Sequence, residues 1–259
     1  MPELPEVETI RRELESKLIG KTFDTPCLYH EKTLVSNKDT FLHQLKGEKI
    51  LSLSRRGKFL IVHLSEEKKL VFHLRMEGKL YIENKENHSK NHLMIFFPFL
   101  NENIGLAFYD VRKFGICEYA LENTPDSSSK IGPEPFEIKE EDYLFNKFHS
   151  SKRMIKELLL DQTILSGIGN IYANEILFDT KISPFLKGFQ LTKENCRDIL
   201  ISSKKILNAA IRNNGSTIRT YHSAKDKEGS FQTFLKIYGK KGQPCPICSH
   251  IIEKRYVDH

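Results

Sequence analysis

The chain has 259 residues, 39% of them hydrophobic, which gives room for two ordinary domains with cores of their own. No apolar run approaches the ~20 residues of a membrane span, and the acidic N-terminus carries no apolar signal segment, so a cytoplasmic protein is expected. The net charge of +6 is uneven, with 22 basic against 24 acidic side chains in residues 1–150 and 18 against 10 in residues 151–259. An excess of that size favours a polyanionic partner, and nucleic acid leads that class.

In chain order, Val7, Ile10, Leu14 and Leu18 recur at helical spacing behind MPELPEVETI, with proline and acids placed as a first helical turn needs them. Up to about residue 120 the pattern is one of strands. KILSLSRRGKFLIVHLS and LVFHLRMEGKLYIE alternate with period two, and HLMIFFPF and IGLAFYDVRKFGICEYA follow between turn residues. Short strands joined by polar turns predict an antiparallel sandwich or barrel. ENTPDSSSKIGPEP then reads as a linker. Beyond it the period is helical in SSKRMIKELLLDQ, NIYANEILFDTKI and TKENCRDILISSKKILNAAIRNN, and the tail from Phe231 reads as a basic, turn-rich hairpin. The predicted divisions are 1-121, a hinge at 122-136, 137-230 and 231-259.

Three stretches carry chemistry. Removal of Met1 would leave Pro2 with a free secondary amine, an unusual nucleophile, although a proline here also suits a plain helix start. In SGIGNIYANE, Gly167 and Gly169 let a ligand approach the backbone, and Asn170 opens a helix whose positive dipole end suits a phosphate. Lys152, Arg153 and Lys156 on the preceding predicted helix add cations, whereas the missing third glycine argues against a dinucleotide fold. Of the five cysteines, Cys27, Cys117 and Cys196 are scattered, which argues against a disulfide framework, and only Cys245 and Cys248 form a pair.

Taken together and in order, MPELPEVETIRREL, RRGKFL, HLRMEGKL, DVRKFG, IGPEP, GIGNIYANEILF and IYGKKGQPCPIC resemble the formamidopyrimidine-DNA glycosylase family over nearly the whole chain. The resemblance implies an α+β protein: an N-terminal antiparallel β-sandwich with an N-terminal helix, a helix-two-turn-helix domain and a C-terminal zinc hairpin. It implies a bifunctional DNA glycosylase and abasic-site lyase acting as a monomer on oxidised purines in double-stranded DNA. Pro2 would attack the sugar, Glu3 would shuttle protons, Glu6 would support the terminus, and Lys58 would donate a proton during elimination. Met76, Arg112 and Phe114 would fill the gap left by a flipped base, Arg112 and Phe114 sharing one face of a strand. Lys152, Lys156 and Asn170 would grip phosphates, and Ser216, Thr217 and Arg219 match a loop that closes over the flipped base.

Two departures stand out. Lys90 and His92 occupy a place where the family has a His-x-His pair, so only the second histidine matches. At the C-terminal end, Cys245 and Cys248 supply two of the four ligands of a structural zinc site, the hairpin is incomplete, and the family's second pair would lie beyond His259. His250, Asp258 and His259 are formal candidates to complete such a site, at spacings that match no metal pattern. The alternative function is a protein that binds damaged or abasic DNA without turnover.

Overall fold

The structure is a computed structural model and describes residues 1–216 and 230–255. These fall into two compact units, 1–130 and 131–216 with 230–255.

The first unit opens with α1 (Leu4–Leu18), whose Val7, Ile10, Leu14 and Leu18 are buried in the core. Pro2 lies outside this helix. The expected first turn belongs instead to Leu4, Pro5 and Glu6, because Glu3 is extended (φ −101°, ψ −173°) and forms the cap. Two four-stranded antiparallel sheets follow. The first has the order β1 (Cys27–Leu28), β6 (Leu93–Pro98), β7 (Ile104–Tyr109), β5 (Lys79–Asn84). The second runs β2 (Ile50–Arg56), β3 (Phe59–Leu64), β4 (Lys68–His73), β8 (Ile116–Leu121). A short helix, α2 (Lys38–Gln44), which the apolar pattern did not announce, adds the buried Phe41. Leu53, Leu60, Val62, Leu70 and Phe72 from one sheet and Ile95, Phe97, Leu106 and Phe108 from the other make one core, with edge-on contacts such as Phe72–Phe108 at 5.6 Å.

The predicted linker is partly folded. Asp126 and Lys69 form a buried ion pair at 2.7 Å, and Ser127 N–H donates to Glu118 at 2.8 Å, so the stretch up to Lys130 is pinned to β4 and β8.

The second unit is helical: α3 (Asp142–His149), α4 (Ile155–Leu160), α5 (Asn170–Asp179) and α6 (Lys193–Arg212). α4 is half as long as its amphipathic sequence suggests. It starts only after Met154, whose N–H is held by the Glu157 carboxylate at 2.7 Å, and stops at Asp161, whose carboxylate caps Thr163 instead. Among the described residues no helix is long and apolar enough to cross a membrane.

Candidate active site and nucleic-acid interface

Strand register gathers the expected residues of the first unit at one end of the sandwich. Phe59 is opposite His73, and His73 is opposite Ile116, so the turn at Gly57 and Lys58, the turn after β4 and the loop before β8 emerge together. Lys79 and Leu93 are both opposite Tyr109, which brings the segment before β6 to the same end.

At this end the start of α1 meets the hairpin turn of β2 and β3. Glu3 is 2% exposed, and its N–H donates to Glu6 Oε2 at 2.9 Å, so Glu6 fixes the backbone that follows Pro2. Lys58 is no surface lysine: it is 5% exposed although it sits in a two-residue turn. Burial pulls its amine below the usual lysine range, while the carboxylates of Glu3 and Glu6 pull it back up. His73, a neighbour that sequence reasoning missed, is kept neutral. Burial, Arg75 and Lys58 press its pKa down to about 3, and its Nδ1 accepts from Arg75 N–H at 3.0 Å. Its ring stands edge-on to Phe59 at 4.6 Å. The arrangement offers a partly desolvated amine and two carboxylates beside the backbone of Pro2.

Arg112 and Phe114 lie in a loop rather than on a strand. Asp110, 1% exposed, accepts from Arg112 N–H (2.9 Å) through one oxygen and from Phe114 N–H (2.9 Å) and Gly115 N–H (2.6 Å) through the other. Those bonds displace the strand ladder and turn the chain at Lys113, where φ is +58°. The Arg112 guanidinium nevertheless covers the Phe114 ring at 5.1 Å, so the two side chains do come together. Asp110 N–H also donates to the carbonyl of His92 at 2.9 Å, tying in the turn that carries Lys90 and His92, both exposed. Met76 tops the turn after β4. Gly78 closes that turn, because a Cβ there would lie 2.5 Å from the Leu74 carbonyl oxygen. Met76 and Phe114 are 41% and 55% exposed, large apolar groups held in water on constrained turns.

In the second unit, Gln162 builds the glycine turn ahead of α5. Its amide nitrogen donates to the carbonyls of Leu160 (2.9 Å) and Ile168 (2.8 Å), and its oxygen accepts from Gly167 N–H (3.0 Å), where φ is +92°. Gly169 then caps α5 and leaves Asn170 exposed at its start. Lys152 is exposed and Lys156 half-buried. Burial, and after it the charge of Lys254, holds the Lys156 amine below its usual range. Arg153, by contrast, is engaged by Asp161 at 2.7 Å.

A family model for the formamidopyrimidine-DNA glycosylase N-terminal domain matches residues 1–117, and a model for the H2TH domain of the same glycosylase matches residues 131–222. The chain belongs to the formamidopyrimidine-DNA glycosylase family. The formamidopyrimidine-DNA glycosylase of Bacillus cereus is 40% identical over 263 residues, which cover 99% of this chain and 95% of that protein. The Streptococcus pneumoniae glycosylase is 39% identical, covering 98% and 93%. Among solved structures, a Lactococcus lactis mutant enzyme in complex with Fapy-dG-containing DNA aligns with a TM-score of 0.90 at 35% identity, covering 99% of this chain and 95% of that one. A MutM complex with carbocyclic 8-oxo-G DNA aligns with a TM-score of 0.91 at 35% identity, with the same coverage.

Of the residues expected from the glycosylase resemblance, the fold brings Glu3, Glu6 and Lys58 together with Pro2, and Arg112 with Phe114. Ser216 is buried, and Thr217 and Arg219 lie outside the described residues. Asp110 could have been found, since an aspartate ahead of a turn is an Asx-turn signal. His73 left no local mark, because its role comes from β3 across the sheet. For the glycosylase hairpin, Pro244 bridges Ile251, and the backbone amides of Cys248 and Ile247 lower the Cys245 thiol. That half suits a metal thiolate. Among the described residues, however, no group of three or more His, Cys, Asp or Glu could hold a metal, so His250 completes no site with the pair. Asp258 and His259 lie outside the described residues.

Proposed function

We propose that this DNA glycosylase removes oxidised purines, 8-oxoguanine and formamidopyrimidines, from duplex DNA and cleaves the abasic strand by β,δ-elimination through a Schiff base on Pro2. The observation that carries the reading is the buried Lys58 amine beside the Glu3 and Glu6 carboxylates, at the start of the helix that Pro2 precedes.

With Met1 removed, the Pro2 nitrogen attacks the anomeric carbon, the C–N bond to the damaged base breaks, and Glu3 protonates the opening sugar. The resulting iminium draws electrons from the neighbouring carbon, so a proton is lost there and the 3′ phosphate leaves; loss of a second proton from the conjugated product then expels the 5′ phosphate. Lys58, whose burial lowers the cost of giving up its proton, supplies one during elimination. Glu6 keeps the backbone behind Pro2 in place. Met76, Arg112 and Phe114 fill the vacated stack, with Arg112 hydrogen-bonding the orphan base. Lys90, His92, Lys152, Lys156 and Asn170 hold phosphates and carry no sequence information. Ser216, Thr217 and Arg219 belong to a segment that covers the flipped base. The DNA in the two solved complexes named above carries lesions of the proposed class.

The chain acts as a cytoplasmic monomer in this reading. Zinc is the metal that Cys245 and Cys248 suit, and its role would be to stiffen the hairpin. With these two thiols as its sole ligands, less than one zinc per chain survives gel filtration; one tightly held zinc would mean that further ligands join.

Borohydride trapping on an abasic duplex tests the central claim. The wild-type chain should give a covalent adduct, and Pro2→Gly should retain duplex affinity while losing most strand cleavage. A gel shift without adduct would favour the non-catalytic binder, and equal cleavage by Pro2→Gly would sink the Pro2 assignment.

A further inference from the structure

Lys58 sits in a turn of two residues, too short to hold a buried amine in one place by itself. Arg55 holds it. Its Nη1 donates to the carbonyl of Gly57 at 3.0 Å, back across the turn, and its Nε donates to Glu8 Oε2 at 3.3 Å. The two side chains are 11% and 12% exposed. Glu8 stands on α1, five residues beyond Glu3.

Two further guanidinium groups reach the same carboxylate. Arg11 is bidentate, from Nε to Oε2 at 3.1 Å and from Nη2 to Oε1 at 3.0 Å, and Arg12 Nε meets Oε1 at 2.7 Å. Both lie one helical turn away on α1 and are enough to neutralise Glu8 and support the helix. Arg55 is different, because it comes from β2. Desolvating a third cation for charge balance alone has little benefit, whereas a charge-assisted, shielded bond between two elements fixes a distance. Arg11 adds a second strut between the same elements, from Nη1 to the Leu53 carbonyl at 3.4 Å.

We propose that Glu8 and Arg55 are positioning residues, which lock the N-terminal helix to the β2–β3 turn and thereby set the separation of the Pro2 nitrogen and the Lys58 amine. Neither touches a reacting atom; the link runs from the Glu8 carboxylate through the Arg55 guanidinium to the Gly57 carbonyl and so to Lys58. The inference rests on the reading of Pro2 and Lys58 given above.

The test is single-turnover cleavage of a preformed abasic duplex at saturating enzyme, with borohydride trapping in parallel, for Glu8→Gln, Arg55→Lys, their double variant and Glu8→Asp. Adduct formation and cleavage should fall on the order of tenfold to a hundredfold in each single variant, since a misplaced reacting pair loses rate steeply. Duplex Kd should stay within about twofold, because phosphate contacts are untouched. The double variant should be no slower than the worse single one, as both break one link. Glu8→Asp should recover part of the rate. The limb of the pH–rate profile that reports Lys58 should move to higher pH as water reaches the amine. A merely stabilising role would lower Tm and leave the rate and pH profile of the folded fraction unchanged; that result, or multiplicative losses in the double variant, overturns the proposal. If Glu8→Gln does not fold, Arg55→Lys and Arg55→Gln carry the same test. A wild-type chain that gives no adduct would overturn the Pro2 reading instead. The lock is then judged by amide exchange at Lys58 and Phe59: faster exchange in both single variants supports it, and unchanged exchange refutes it.

Discussion

The end of the sandwich and the glycine turn of the helical unit treat their polar groups in opposite ways. Glu3, Lys58, His73 and Asp110 are all under 10% exposed, and each is held by named partners or displaced from its ordinary acidity. Lys152 and Asn170 stay in water, and the turn beside them is shaped by the neutral amide of Gln162. The difference separates two jobs. A group that must move a proton at one atom needs a dry, fixed place, whereas one that meets a phosphate keeps its charge or dipole at little cost when it remains solvated.

The strongest way to break this contrast is Lys58→Ala. Cleavage of abasic duplex should fall by on the order of 10²–10⁴, the usual contribution of a positioned acid or base, with binding nearly intact. An equal loss in single-turnover rate from Asn170→Ala would erase the distinction. Asp110→Asn comes next: an amide facing three N–H donors loses the anionic acceptor, and unfolding free energy should drop by about 2–4 kcal/mol in urea titrations. Discrimination between lesion-containing and undamaged duplex should weaken with it.

His73 gives a pH signature. Its imidazole has a pKa of about 6.5 in the unfolded chain, and burial, Arg75 and Lys58 push it down to about 3 in the folded one. Between those values the unfolded state holds the extra proton, so stability falls as pH drops. The loss is about 1–2 kcal/mol between pH 6.5 and 5, and His73→Asn should flatten that part of the stability curve relative to wild type. The smallest effect belongs to the phosphate-facing set, in which Lys156 is the half-buried member. Lys156→Ala should weaken binding to damaged and undamaged duplex alike by several-fold and reduce the salt slope by about 0.9, one phosphate contact. A change in lesion preference at constant affinity would move Lys156 out of that set.

The sequence made β2 to β8 legible through period-two alternation and turn residues, and α1, α5 and α6 through helical spacing and caps, whereas β1, two residues long, left no pattern. It did less well where a side chain outcompeted the local pattern. DVRKFG continues an alternation, yet three hydrogen bonds to Asp110 bend it into a loop. SSKRMIKELLLDQ is amphipathic throughout, yet Glu157 and Asp161 trim it to Ile155–Leu160. The short α2 and α3 present too few turns for a periodic signal. In the candidate site, residue types were readable and environments were not. RRGK reads as an exposed turn, and only the packing of α1 against β2 and β3 makes its lysine a buried one.

That turn also restricts how the chain can change length. Arg56 pairs with Phe59, leaving Gly57 and Lys58 as the whole connection. An inserted residue would have to be absorbed by a bulge or by sliding one strand past the other, and a one-residue slide exchanges the two faces of β3. Phe59 and Ile61 would then turn inward in place of Leu60 and Val62, and the lysine would lose its place beside the acids. Insertions and deletions among related chains are therefore expected to spare this hairpin and to collect in connections such as residues 85–89, where an added residue disturbs no strand pairing and costs mainly loop entropy.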